Sequence, residues 1–180
     1  MNRNWLLVAA IALALGVGAV AIAGEMDAED RAEAAAVVHA SVTPMRAVQI
    51  AERGGGRPYA FGFESGKQGN WYEVQVLRNH TPMEVRIDPD SGKVLGTSNA
   101  TGEDTKGAHA FDQSKLTLAT AVAQAEHDGN GTAMEATSMG SGAKAYVIVD
   151  VVQQGLKVAH YRVSLRNGQI EARRTGRSAG

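Results

Sequence analysis

Val42-Thr43-Pro44-Met45-Arg46-Ala47-Val48-Gln49-Ile50-Ala51-Glu52 lies against Leu116-Thr117-Leu118-Ala119-Thr120-Ala121-Val122-Ala123-Gln124-Ala125-Glu126 at an offset of 74 residues. At that offset Trp71-Tyr72-Glu73-Val74 also meets Ala145-Tyr146-Val147-Ile148. Further on, Val85-Arg86-Ile87 meets Tyr161-Arg162-Val163 and Gly92 meets Gly168, at an offset of 76. A constant order and a nearly constant offset read as an internal repeat. The small drift falls between Leu77 and Met83, where a turn is expected, and insertions collect in loops.

Each copy has the same local plan. Thr43 and Thr117 are placed to cap helices, their hydroxyls accepting from the first unpaired amides. Pro44 fits the first helical position, where its missing N–H costs nothing. Gly54-Gly55-Gly56 and Gly129-Asn130-Gly131 stop the two helices. Alternating segments follow at 57–64, 70–78, 83–88 and 93–98, and again at 132–139, 144–152, 157–164 and 169–173. Short connections containing glycine or asparagine favour antiparallel hairpins. Tyr72, Val74 and Val76 alternate with Trp71, Glu73 and Gln75, the pattern of a sheet covered on one face and wet on the other.

The expected fold is therefore α+β. It has two tandem repeats, each a helix packed on an antiparallel three- to four-stranded sheet, at residues 42–98 and 115–173. Residues 99–114, rich in Gly, Thr, Asp and Ala, read as a linker. Residues 24–41 read as a helix or tether, and 174–180 as a disordered basic tail.

The helix with its Ala-x-x-x-Ala-Glu, the strand opening on Tyr-x-Val, and Val85-x-Ile87-Asp88-x-x-x-Gly92-x-Val94 resemble the PepSY domain. The resemblance spans about 42–96 and 116–173. The second copy departs from it, with Ser164 and Arg166 standing where the first has Asp88 and Asp90. The resemblance implies a non-catalytic binding domain, an inhibitor or regulator of peptidases, and supplies no catalytic residues.

The N-terminus reads as an export signal. Asn2-Arg3-Asn4 precedes an apolar run from Trp5 to Ile22, and Ala21-Ile22-Ala23 has the small-residue spacing that a signal peptidase accepts. Cleavage after Ala23 gives a periplasmic or secreted protein. An uncleaved segment would instead anchor the chain, its run of about 18 residues lying near the lower limit for a membrane span. Lipid attachment needs a cysteine, and the chain has none.

Without residues 1–23 the chain keeps 17 basic and 19 acidic side chains, a net charge of −2. That balance argues against nucleic acid, whose phosphates are met by basic surfaces. The lack of cysteine removes disulfides, thiol catalysis and thiolate metal sites.

Little in the sequence reads as an active site. Asp88-Pro89-Asp90-Ser91-Gly92 resembles the start of a calcium loop, but the twelfth position is Asn99 and strands rather than helices flank it. A proline-containing turn with Gly92 at positive φ accounts for the same residues. The five histidines show no metal-ligand spacing. Gly140-Ser141-Gly142 is too tight for a nucleophile elbow. No cofactor and no enzymatic activity are expected.

One difference between the copies suggests a binding surface. The offset sets Trp71, Glu73, Gln75 and Leu77 against Ala145, Val147, Val149 and Val151, so a mixed face in the first copy is apolar in the second. An apolar face of that size needs a cover, either from within the chain (the first copy or residues 27–39) or from a partner protein. The same alignment turns Asp150 inward, where it needs a polar partner. Trp71, opposite Tyr72 on its strand, is a candidate interface anchor.

The partner-binding candidates are thus Trp71, Ala145, Val147, Val149 and Val151. Two functions fit: a binding protein docking another envelope protein, with a peptidase as the partner class implied by the resemblance, or a sensor of a small ligand or metal held in a cleft between the copies.

Overall fold

In the computed structural model, which describes residues 28–66 and 69–173, the helix starts follow from the capping residues. Thr43 Oγ1 accepts the Arg46 amide at 3.3 Å, and Pro44 opens helix α2 (Pro44–Arg53). Thr117 Oγ1 accepts the Thr120 amide at 3.1 Å at the head of α3 (Leu118–Gly129), which ends on left-handed Asn130. A third helix, α1 (Ala28–His39), precedes them. The expected signal segment, 1–23, and the tail, 174–180, lie outside the described residues.

Eight strands follow: β1 (Arg57–Gly66), β2 (Gly69–Arg78), β3 (Thr81–Ile87), β4 (Val94–Asn99), β5 (Thr132–Met139), β6 (Tyr146–Gln153), β7 (Lys157–Ser164) and β8 (Ile170–Arg173). The turn between β3 and β4 is built as its residues require. Asp88 Oδ1 accepts the Ser91 amide at 2.7 Å, and Gly92 takes a φ of 72°.

Two separate helix-on-sheet repeats are not what forms. All the strands join one eight-stranded antiparallel sheet, in the order β4-β3-β2-β1-β5-β6-β7-β8. The seam is the β1–β5 pair, at Ala60↔Thr137, Phe61↔Ala136 and Gly62↔Glu135. Each of these strands would otherwise present an unpaired edge, and joining them satisfies both. The buried side chains form one continuous hydrophobic cluster rather than two.

Helices α2 and α3 cover one face of the sheet. Tyr72, Val74, Val76, Phe61 and Phe63 point to it from the first strands, and Val147, Val149, Val151 and Val163 from the later ones. The Tyr72 hydroxyl donates to the Val42 carbonyl at 2.6 Å, tying the entry of α2 to the sheet. Helix α1 packs on β1 and β5, on the face where Glu135 meets its Glu33.

The stretch 99–114, read from its composition as a linker, runs along one end of the sheet and buries Ala100, Ala108, Ala110 and Phe111. Ala100 N–H donates to Pro82 O at 3.0 Å, Ser138 Oγ to Gly107 O at 3.0 Å, and Arg57 to Phe111 O at 3.3 Å. Its alanines and single phenylalanine lack a period, but they fit between strand ends.

Candidate functional site

A single cross-strand row on the face opposite α2 and α3 gathers charged side chains, of which Glu73 is buried. Reading across the register, Arg86 on β3 stands opposite Glu73 on β2, then come Gly62 on β1, Glu135 on β5, Asp150 on β6 and His160 on β7. Residues directly opposite in antiparallel strands sit within about 5.5 Å of one another, so each group feels its neighbours.

Glu73 is 6% exposed, and its acidity is weakened to a pKa of about 7, first by burial and then by nearby Glu84. Arg86 works against that rise, with Nη2 at 3.4 Å from Glu73 and Nε at 2.7 Å from Glu84. The Arg86 guanidinium also lies 5.2 Å from the Trp71 ring. Gln75, 2% exposed, donates to Glu73 at a long 3.4 Å, and its own Oε1 has no hydrogen-bond partner.

On the other side of Gly62, Glu135 is likewise pushed up to about 7, by burial and then by Asp150. Thr137 donates to it at 2.9 Å and His160 favours its ionised form, while Glu33 from α1 opposes ionisation. His160 Nδ1 lies 2.6 Å from Asp150 Oδ1. Asp150 therefore points away from the core and is partnered by His160, not turned inward.

Beyond Gly62 the β1–β5 pairing stops, and glutamates take the place of strand partners. Ser65 N–H donates to Glu33 Oε1 at 3.2 Å, and Ala133 N–H to Glu126 Oε1 at 3.0 Å. Burial raises the pKa of Glu126. Three residue pairs join the seam, and beyond them one carboxylate from α1 and one from α3 each cap a strand amide. Among the described residues, no group of three or more His, Cys, Asp or Glu side chains is placed to hold a metal ion.

The residues expected to bind a partner divide. Val147, Val149 and Val151 are fully buried and Ala145 is 2% exposed. A Cβ added at Gly129 of α3 would come within 2.9 Å of Val151, which shows how closely that helix sits on the face. Trp71 is half-buried on the opposite face beside Arg86. The three valines of β6, Ala145 just before it, and Trp71 thus do not form one surface.

The cause is a one-residue error of register. By their partner strands, Tyr72, Val74 and Val76 share the helix-covered face with Val147, Val149 and Val151; the sequence offset set Trp71, Glu73 and Gln75 there instead. Slipping a strand by one residue exchanges its two faces.

Two surfaces escaped sequence reasoning. One is the charged row, whose members are far apart in the chain. The other is β4, an edge strand exposed along all six residues, with Val94 46% and Leu95 54% exposed. The apolar pair Val94-Leu95 beside Gly96 was its only sequence signal.

Among the described residues no helix is long and apolar enough to cross a membrane. No protein-family model matches the chain, and no curated protein matches it. Among solved structures, the crystal structure of a candidate lipoprotein from Clostridium difficile 630 aligns at 16% identity, over 74% of this chain and 95% of that one. The TM-score is 0.40, a likeness too loose to carry an argument about fold or function.

Proposed function

We propose that this chain is an exported, non-catalytic binding protein that docks another protein of the cell envelope along the β4 edge. The observation that carries the reading is the exposure of β4. Its six residues are uncovered, and its Val94 and Leu95 are large apolar side chains left in water. An edge strand presents a row of backbone donors and acceptors, and an extended segment of a partner can add to it as a further strand.

Val94 would give such a segment an apolar contact beside the register position of Ile87, and the glycine at 96 leaves room next to Arg86. The signal-like N-terminus supports export. The PepSY resemblance suggests a peptidase as the partner class.

A photoreactive side chain placed at Leu95 in intact cells tests this. One defined protein adduct should form at Leu95 and at Thr97 and be absent at Gln154, an exposed turn residue between β6 and β7. Leu95→Lys, probed from Thr97, should abolish the adduct, because a charge on an edge strand blocks strand addition. An adduct that forms equally at Gln154, or that survives Leu95→Lys, would overturn the docking site. Identification of the captured protein decides the peptidase assignment.

A further inference from the structure

Helix α1 is lightly held by apolar contacts for the position it occupies. Ala34 and Val37 are its buried hydrophobic residues, while Val38 is 42% exposed. Its Glu33 is 7% exposed and accepts the Ser65 amide at the open end of the seam. Glu135 faces Glu33 from α1, Asp150 from β6 and His160 from β7. Across Gly62 stands Glu73, and Glu64 lies two residues further along β1. Asp30 is half-buried one turn before Glu33. Glu33 on α1 and Glu135 and Asp150 on the sheet thus converge, with one imidazole among them.

We propose that α1 is a pH-controlled cover of the β1–β5 seam, seated while Glu135 beneath it holds its proton and released as that carboxyl ionises between Glu33 and Asp150. Seated, the helix shields Glu135 and its own Glu33 from water, and in that enclosed setting like charges repel far more strongly than in solvent. Released, it returns them to water and uncovers the Ser65 amide and the unpaired length of β1. The direction follows from Glu135, whose pKa is held near 7 by burial and returns toward the ordinary carboxylate range once solvated. The seated form therefore binds more protons. Its advantage is complete below the ordinary carboxylate range and is lost as pH rises through about 7. This device is separate from docking at β4.

Hydrogen exchange of the full chain at about pH 5.5 and about pH 8, corrected for intrinsic rates, reads the cover directly. Protection of the α1 amides relative to those of β6 should fall roughly tenfold or more between the two. Glu135→Gln, and on the helix itself Glu33→Gln, should shrink that fall. Val37→Ser should loosen α1 equally at both values, as a purely apolar contact would. Relative protection that does not change with pH in the unaltered chain overturns the proposal. So does a fall that persists undiminished in both glutamine variants.

Discussion

Glu73 and Glu135 stand on either side of Gly62 in one row across the sheet, each opposite that glycine and each held near neutral acidity by burial. Both acids bind protons more tightly folded than unfolded. The stability they lend is present in full below the ordinary carboxylate range and is lost as pH rises through about 7. Each accounts for at most about 3 kcal/mol. Thermal unfolding should therefore give a lower Tm at pH 8 than at pH 5.5. Glu73→Gln should raise the Tm at pH 8 while leaving it nearly unchanged at pH 5.5. A Tm that climbs between pH 5.5 and pH 8 would contradict the burial of these carboxyls.

The Tyr72 hydroxyl offers a cleaner measure of one buried contact. It donates to Val42 O at 2.6 Å, where the chain passes from α1 into α2, and Tyr72 is fully buried. Tyr72→Phe keeps the ring against Phe63, 5.1 Å away in an edge-on contact, and removes only the bond. An unpartnered buried carbonyl should cost about 1–2 kcal/mol in urea unfolding. No measurable loss would mean that water replaces the hydroxyl.

Gly107 tests whether residues 99–114 belong to the folded body. Its φ is 79°, and a Cβ there would overlap the main-chain oxygen and hydroxyl of Ser138. Backbone cannot yield as a flexible side-chain tip can. Gly107→Ala should therefore destabilise by about 1–3 kcal/mol. A free linker would tolerate the change, and an unaltered denaturation midpoint would show that it is one.

Local structure was legible in the sequence because local chemistry sets it. Thr43, Thr117 and Pro44 mark helix starts, Gly92 marks a turn, and alternation marks the strands. Register was not legible. Bulges, where one strand carries an extra residue, interrupt the β1–β2 pairing near Tyr59 and the β5–β6 pairing near Met134, and no residue pattern announces them. A constant offset carried through such irregularities set Val147 against Glu73 when it shares a face with Tyr72 and Val74.

The seam was hidden for a related reason. Its three residue pairs, centred on Phe61 and Ala136, join segments 75 positions apart with no turn between them to betray the contact. The charged row depends on that seam, so Glu73 and Glu135 could not be brought together by reading along the chain.

Val147 and Leu95 separate an internal apolar face from an exposed one. Val147 is fully buried on the face that α3 covers, between Ser138 on β5 and Val163 on β7. An aspartate there would be an unpaired charge in the core, costing several kcal/mol, a large share of a small protein's stability. Leu95 is 54% exposed on the sheet edge, and Leu95→Asp should change stability by no more than about 0.5 kcal/mol. Urea unfolding of both variants at two protein concentrations makes the comparison. Val147→Asp should be largely unfolded at either concentration, and Leu95→Asp should unfold like the unaltered chain. A Val147→Asp chain that stays folded but changes its state of association would show that a second molecule, and not α3, covers this face.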